Sequence, residues 1–81
     1  MIDPTMIHVG SLVKLELRKQ GYSVTWLARQ LHKERSGVYK MLSRKSLDIS
    51  TLMMVSVVLN HDFFADISKL LHRYTTLMKQ F

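Results

Sequence analysis

Cysteine is absent from this chain of 81 residues, which excludes a disulfide framework, a thiolate metal site and a cysteine nucleophile. Proline occurs once, at Pro4, and glycine three times, at Gly10, Gly21 and Gly37. Nothing after residue 4 therefore interrupts a helix, and strand signals are weak. The first ten residues lack the basic start and apolar stretch of a secretory signal, so we expect a cytoplasmic protein.

Length and composition predict one small all-α domain over residues 1–81. A chain of this size buries only about 60% of its unfolded surface on folding, so a second copy is expected to contribute to stability. Apolar residues make up 47% and charged residues 22% of the chain, as in globular domains. We expect no enzyme, cofactor, metal site or small-molecule ligand, because no catalytic triad, glycine-rich phosphate loop or paired histidine ligands occur.

Apolar residues recur at three- and four-residue steps, the spacing of one helix face, in five successive segments. The first four segments, over 6–61, predict a compact core that begins near Met6. The fifth, over 62–81, predicts a longer C-terminal helix. Helix boundaries are predicted at residues that cap a helix start or adopt the left-handed conformation at its end: Ser23, Asp48 and Asp62 for the starts, Gly21 and Asn60 for the ends. Trp26 is interpreted as a packing residue.

Positive charge is concentrated in the middle of the chain. The formal net charge is +6, and nine of the twelve basic residues lie between Lys14 and Lys45, where the only acids are Glu16 and Glu34. Six of these cations surround the second and third predicted helices and are called the basic patch below: Arg29, Lys33, Arg35, Lys40, Arg44 and Lys45. Such a patch favours binding to phosphates, although a solvated helix face is the alternative.

The third predicted helix, over 34–43, has two distinct faces. Val38, Met41 and Leu42 fall on one side at 100° per residue and are predicted to be buried. The opposite side is polar, basic and aromatic, and its members are Arg35, Ser36, Tyr39, Lys40 and Ser43. The sequence therefore predicts that these five side chains lie on the outer side of the helix.

The apolar framework of this region has the spacing found in Cro and phage-repressor type helix-turn-helix domains, the XRE-like family: Leu27, Ala28, Leu31, Val38 and Met41. The chain resembles this family over roughly Val9 to Leu59. The resemblance implies a compact five-helix lambda-repressor-like domain with an extended C-terminal helix. His32 stands where the family usually has glycine, so we expect a left-handed conformation there. Leu17 and Leu42 stand where many members have an Arg and Glu pair, and both partners of a buried ion pair are thus replaced together.

The resemblance also implies a function, that of a bacterial or phage-type transcriptional repressor that binds a DNA operator in the nucleoid. The helix over 34–43 would enter the major groove. Base contacts are implied for Arg35, Ser36, Tyr39 and Lys40, with Arg35 able to bind guanine through two hydrogen bonds. Phosphate contacts are implied for Ser23, Thr25, Lys33, Arg44, Lys45 and Ser46.

The C-terminal helix carries an apolar seam over two heptads, formed by Ile67, Leu70, Tyr74, Leu77, Met78 and Phe81. A symmetric homodimer through this seam would place two recognition helices about 34 Å apart on a pseudo-palindromic operator. Three alternatives remain: the helix packs within its own chain, it binds a different protein as in an antitoxin, or the chain binds membranes or acidic partners. Four histidines are predicted to be surface residues that do not bind a metal: His8, His32, His61 and His72.

Overall fold

The structure is a computed structural model that describes residues 7–78, with side chains for residues 7–73 and Thr75. It is all-helical over this range, as the sequence predicts. Five helices follow one another: α1 Val9–Lys19, α2 Val24–Gln30, α3 Arg35–Leu42, α4 Ile49–Leu59 and α5 Phe63–Met78. The predicted third helix is confirmed, since Glu34 and Ser43 are the caps on either side of α3.

The core lies where α1 meets the other helices. α1 contacts α3, α4 and α5, and α2 packs against α3. All five residues of the predicted apolar framework are buried: Leu27, Ala28, Leu31, Val38 and Met41. Leu17 and Leu42 are buried as well, so these positions contribute apolar packing to the core without the desolvation cost of a buried ion pair.

The first helix begins at Val9, within the predicted core over 6–61. Residue 8 has an extended backbone, with φ −111° and ψ 97°, and α1 begins at Val9. The side chain of His8 caps the helix, because its Nδ1 accepts a hydrogen bond from the backbone N–H of Ser11 at 3.0 Å. Met6, near which the core is predicted to begin, lies outside the described residues.

The other predicted helix starts are confirmed by side-chain caps. The hydroxyl of Ser23 accepts from the N–H of Trp26 at 3.0 Å. The carboxylates of Asp48 and Asp62 accept from the N–H groups three residues later, at 3.1 Å and 3.0 Å respectively. Each cap satisfies one of the backbone donors that a helix start leaves free.

Three helices end in the same way. Gly21, His32 and Asn60 have φ of 77°, 54° and 49°, and the next N–H donates back to a carbonyl five residues earlier. These bonds are Tyr22 N to Leu17 O at 3.1 Å, Lys33 N to Ala28 O at 2.9 Å, and His61 N to Ser56 O at 3.0 Å. This is the Schellman arrangement. The left-handed conformation expected at His32 is confirmed.

Candidate nucleic-acid interface

The outer face of α3, defined as Arg35, Ser36, Tyr39 and Lys40, is exposed at every position. The largest of these side chains, Tyr39, has 58% of its surface exposed. The opposite side of the same helix is fully used in packing, since Val38, Met41 and Leu42 are buried. α3 is therefore held by one face on α1 and α2 while the other is presented outward.

The residues implied as phosphate contacts lie around this helix. All six are exposed: Ser23, Thr25, Lys33, Arg44, Lys45 and Ser46. Ser23 Oγ accepts from Trp26 N, so its own O–H remains available to donate to a phosphate oxygen. These residues thus combine hydroxyl and cationic donors at the start of α2, in the α2–α3 turn and after α3.

The cations of the basic patch form no ion pair with a described acidic residue. Within residues 7–78, the ion pairs shorter than 4.0 Å join His61 to Glu16 and to Asp66. No Lys or Arg of the described residues takes part in such a pair. The charge of the basic patch is consequently directed at solvent and at any polyanion that approaches it.

The segment after α3 is fixed by the start of α1. The N–H groups of Val9 and Gly10 donate to the carbonyl oxygens of Lys45 at 2.8 Å and Arg44 at 3.0 Å. Gly10 permits this approach, because a Cβ at this position would collide with the carbonyl oxygens of Leu42 and Arg44. The backbone beneath two cations of the basic patch is thereby held in place. Sequence reasoning missed this role of Gly10.

His8 adds a side-chain contact to the same junction. Its Nδ1 accepts from Ser11 N, so the neutral ring carries its proton on Nε2. That Nε2 lies 3.1 Å from the carbonyl oxygen of Ser43 and donates to it. His8 is half-buried, and its ring joins the start of α1 to the end of α3, a role that the sequence did not indicate.

Trp26 packs against the core, as predicted. Its ring stacks on Tyr22, with the centroids 3.8 Å apart and the planes 10° from parallel. Tyr22 is the more exposed of the two, with 43% of its surface accessible. The pair lies at the start of α2, beside Ser23 and Thr25.

His61 connects three helices through a polar cluster that the sequence analysis did not foresee. Its Nε2 lies 2.6 Å from Asp66 Oδ2 and its Nδ1 lies 3.4 Å from Glu16 Oε1. Gln20 Nε2 donates to Glu16 Oε2 and to the carbonyl oxygen of Leu59, both at 2.8 Å. His61 keeps about 30% of its side chain exposed, and folding brings Glu16 to it from 45 positions away.

This cluster borders an open cleft between α1 and α5 with a volume of about 320 Å³. The two carboxylates contact different nitrogens of the same ring. No group of three or more metal-binding side chains is placed for a metal ion among the described residues. The cluster accordingly ties α1 to the chain around the start of α5.

The predicted C-terminal seam lies partly inside the chain's own packing. Ile67 is half-buried and packs against the core. Leu70 is half-buried beside the cleft between α1 and α5. Tyr74, Leu77 and Met78 belong to α5, but their side chains, and the whole of Phe81, lie outside the described part of the chain.

Comparison with known proteins gave no match. The chain matches no protein-family model, no curated protein and no solved structure. Over residues 7–78, no helix is long and apolar enough to cross a bilayer.

Proposed function

We propose that this protein is a sequence-specific DNA-binding transcriptional regulator, acting as a repressor. In this proposal the fold is a lambda-repressor-like helix-turn-helix domain, and α3 enters the major groove. Two copies bind the two halves of a pseudo-palindromic operator. The observation that carries the proposal is the outer face of α3, which is polar, exposed at all four positions and surrounded by the unpaired cations of the basic patch.

The dimensions of α3 suit a DNA groove. A helix with its side chains is about 10–12 Å across, and the major groove is about 12 Å wide. The turn between α2 and α3, residues 31–34, is closed by the bond from Lys33 N to Ala28 O. Because α2 packs on α3, a groove that receives α3 also meets the start of α2.

Arg35 has the central role in base recognition. It is the first residue of α3, and recognition helices read base edges mainly with their N-terminal residues. Its guanidinium presents two parallel donors to O6 and N7 of guanine, a pairing that discriminates by about 1–3 kcal/mol. Ser36 and Lys40 add hydrogen-bond donors along the same face, and Tyr39 offers an aromatic surface to a sugar or a thymine methyl.

Arg44 and Lys45 supply the main phosphate contacts. Their backbone is held by the N–H groups of Gly10 and Val9, so less chain freedom is lost when their side chains meet DNA. Contacts of this kind release counterions and give affinity without base selectivity. They position α3, and the outer face of α3 selects the sequence.

The test is selection of bound duplexes from a random DNA pool with three chains: wild type, Arg35→Ala and Arg73→Ala. Arg73 is an exposed arginine of α5, so its replacement removes the same charge away from α3. We expect wild type and Arg73→Ala to enrich the same inverted repeat, and Arg35→Ala to lose enrichment at one position of each half-site. A pool that wild type does not enrich at all contradicts the proposal.

A further inference from the structure

Helix α4 has an apolar outer side. No residue from Ile49 to Leu59 is charged. Leu52, Val55 and Leu59 are buried in the core. On the other side Ile49, Met53 and Val57 retain 67%, 55% and 79% of their surface.

These exposed side chains form one continuous surface. Ile49, Met53 and Val57 are four residues apart, so they lie above one another on successive turns. Met54, also exposed, widens this surface beyond Ser50, a small exposed polar residue on the same side. The four apolar residues are called the α4 face below. A helix at the surface of a monomer normally carries polar residues on its outer side. A contiguous apolar patch of this kind is typical of an interaction site.

We propose that the α4 face binds the α4 face of a second copy of this chain about a two-fold axis. Charge decides between a second copy and other occupants. The chain carries a net charge of +6, so two copies associate best through a surface that places no cations opposite each other. The α4 face meets this condition, whereas an acidic partner would gain no electrostatic attraction there and would be drawn to the basic patch.

The size of the α4 face predicts a weak dimer. A helix of 11 residues is about 16 Å long and, with side chains, about 10 Å wide. One such face offers a few hundred Å² per copy, below the roughly 800 Å² per partner of a stable complex. The dimer is therefore concentration-dependent in solution. On DNA, two adjacent half-sites raise the effective concentration of the second copy to about the millimolar range. Self-association through the α4 face does not depend on the proposed function. Its role in binding an inverted repeat of DNA rests on that proposed function.

The first test measures mass against concentration by sedimentation equilibrium for wild type, Val57→Glu and Leu15→Glu. Leu15 is the matched control, because it is an apolar residue of α1 with 60% of its surface exposed. We expect the average mass of wild type and of Leu15→Glu to rise from monomer towards dimer as concentration increases. Val57→Glu places a carboxylate from each copy in the interface, so its dimer Kd is expected to rise at least about 10-fold. Both positions are exposed, and helical content checks that each variant folds.

The second test uses the absence of cysteine from the chain. Single variants Ile49→Cys, Met53→Cys and Val57→Cys are oxidised, with Leu15→Cys as control. A disulfide needs Cα atoms about 4.4–6.8 Å apart, so only positions near the two-fold axis become linked. At least one of the three α4 variants is expected to form a covalent dimer that the control does not form.

Several results would overturn the inference. Wild type that stays monomeric at all concentrations, or Val57→Glu that associates as wild type does, contradicts it. Association abolished by Leu77→Asp but not by Val57→Glu moves the interface to α5. On DNA, Val57→Glu should keep wild-type affinity for a single half-site and lose at least about 10-fold on the inverted repeat. If wild type associates but binds no DNA, the proposed function fails while this inference stands.

Discussion

The N–H of Gly10 donates to the carbonyl oxygen of Arg44 at 3.0 Å. This single bond joins the start of α1 to the segment that follows α3. The approach is close enough that no side chain fits between the two, since a Cβ on Gly10 would meet the carbonyl oxygens of Leu42 and Arg44. The position of Arg44, one of the two cations of the basic patch that follow α3, thus depends on Gly10, a residue that carries no charge.

Gly10→Ala is expected to lower the free energy of unfolding by about 1–3 kcal/mol, because the added methyl group forces backbone to move. Gly37→Ala is the matched control. No atom lies within 4 Å of a Cβ at Gly37, and alanine in place of a helical glycine stabilises by roughly 0.5–1 kcal/mol. Urea unfolding of both variants measures the difference. Equal midpoints for the two would show that the α1 junction is not tight.

His32→Gly is expected to raise the free energy of unfolding by about 0.5–1 kcal/mol. The left-handed backbone at His32, φ 54°, is strained for an L-residue and unstrained for glycine. Lys33→Gly, one position later, is the control. It should lower the free energy of unfolding, because glycine increases the conformational entropy of the unfolded chain and relieves no backbone strain at this position. Thermal unfolding of both proteins checks this, and a loss of stability in His32→Gly would argue that the imidazole makes a contact worth more than the strain.

Asp48 makes the stability of the α4 cap pH-dependent. Hydrogen bonds from Thr51, and to a lesser extent the charge of Lys33, lower the pKa of Asp48. A carboxyl whose pKa is lowered by folding stabilises the native state above its unfolded pKa of about 3.9. This contribution is lost as pH falls through the folded pKa. Asp48→Asn keeps an acceptor but does not titrate, so the stability difference between wild type and variant should shrink below about pH 4. A difference independent of pH would contradict the account.

Salt dependence should identify the phosphate contacts. Replacement of Arg44 or Lys45 by alanine is expected to weaken binding to all duplexes alike and to reduce the slope of log K against log salt by about 1 each. Lys69→Ala, in which an exposed cation of α5 is removed, should leave the slope unchanged. Fluorescence anisotropy at four salt concentrations distinguishes these results. An unchanged slope in Arg44→Ala would place the DNA elsewhere.

Local signals made most of the fold predictable. Ser23, Asp48 and Asp62 act within three residues of themselves, so their caps can be inferred from short segments. The left-handed ends at Gly21 and Asn60 are local as well. The buried and exposed sides of α3 follow from helical periodicity alone.

The features that were missed depend on residues far apart in the chain. His61 meets Glu16 only after α1 and α5 pack, and no short-range pattern encodes that contact. The hydrogen bond from Gly10 to Arg44 joins residues 34 positions apart. The apolar character of the exposed side of α4 was missed because hydrophobicity alone does not distinguish exposed residues such as Met53 and Val57 from core residues.

The central claim, that Arg35 reads guanine in the major groove, is tested most directly by a thermodynamic cycle. Affinities of wild type and Arg35→Ala are measured on the selected operator and on one with 7-deazaguanine at the position that Arg35→Ala no longer selects. This base lacks the N7 acceptor. We expect each single change to cost about 1–3 kcal/mol and the two together to cost little more than one. Losses that add independently would contradict a contact between Arg35 and that guanine.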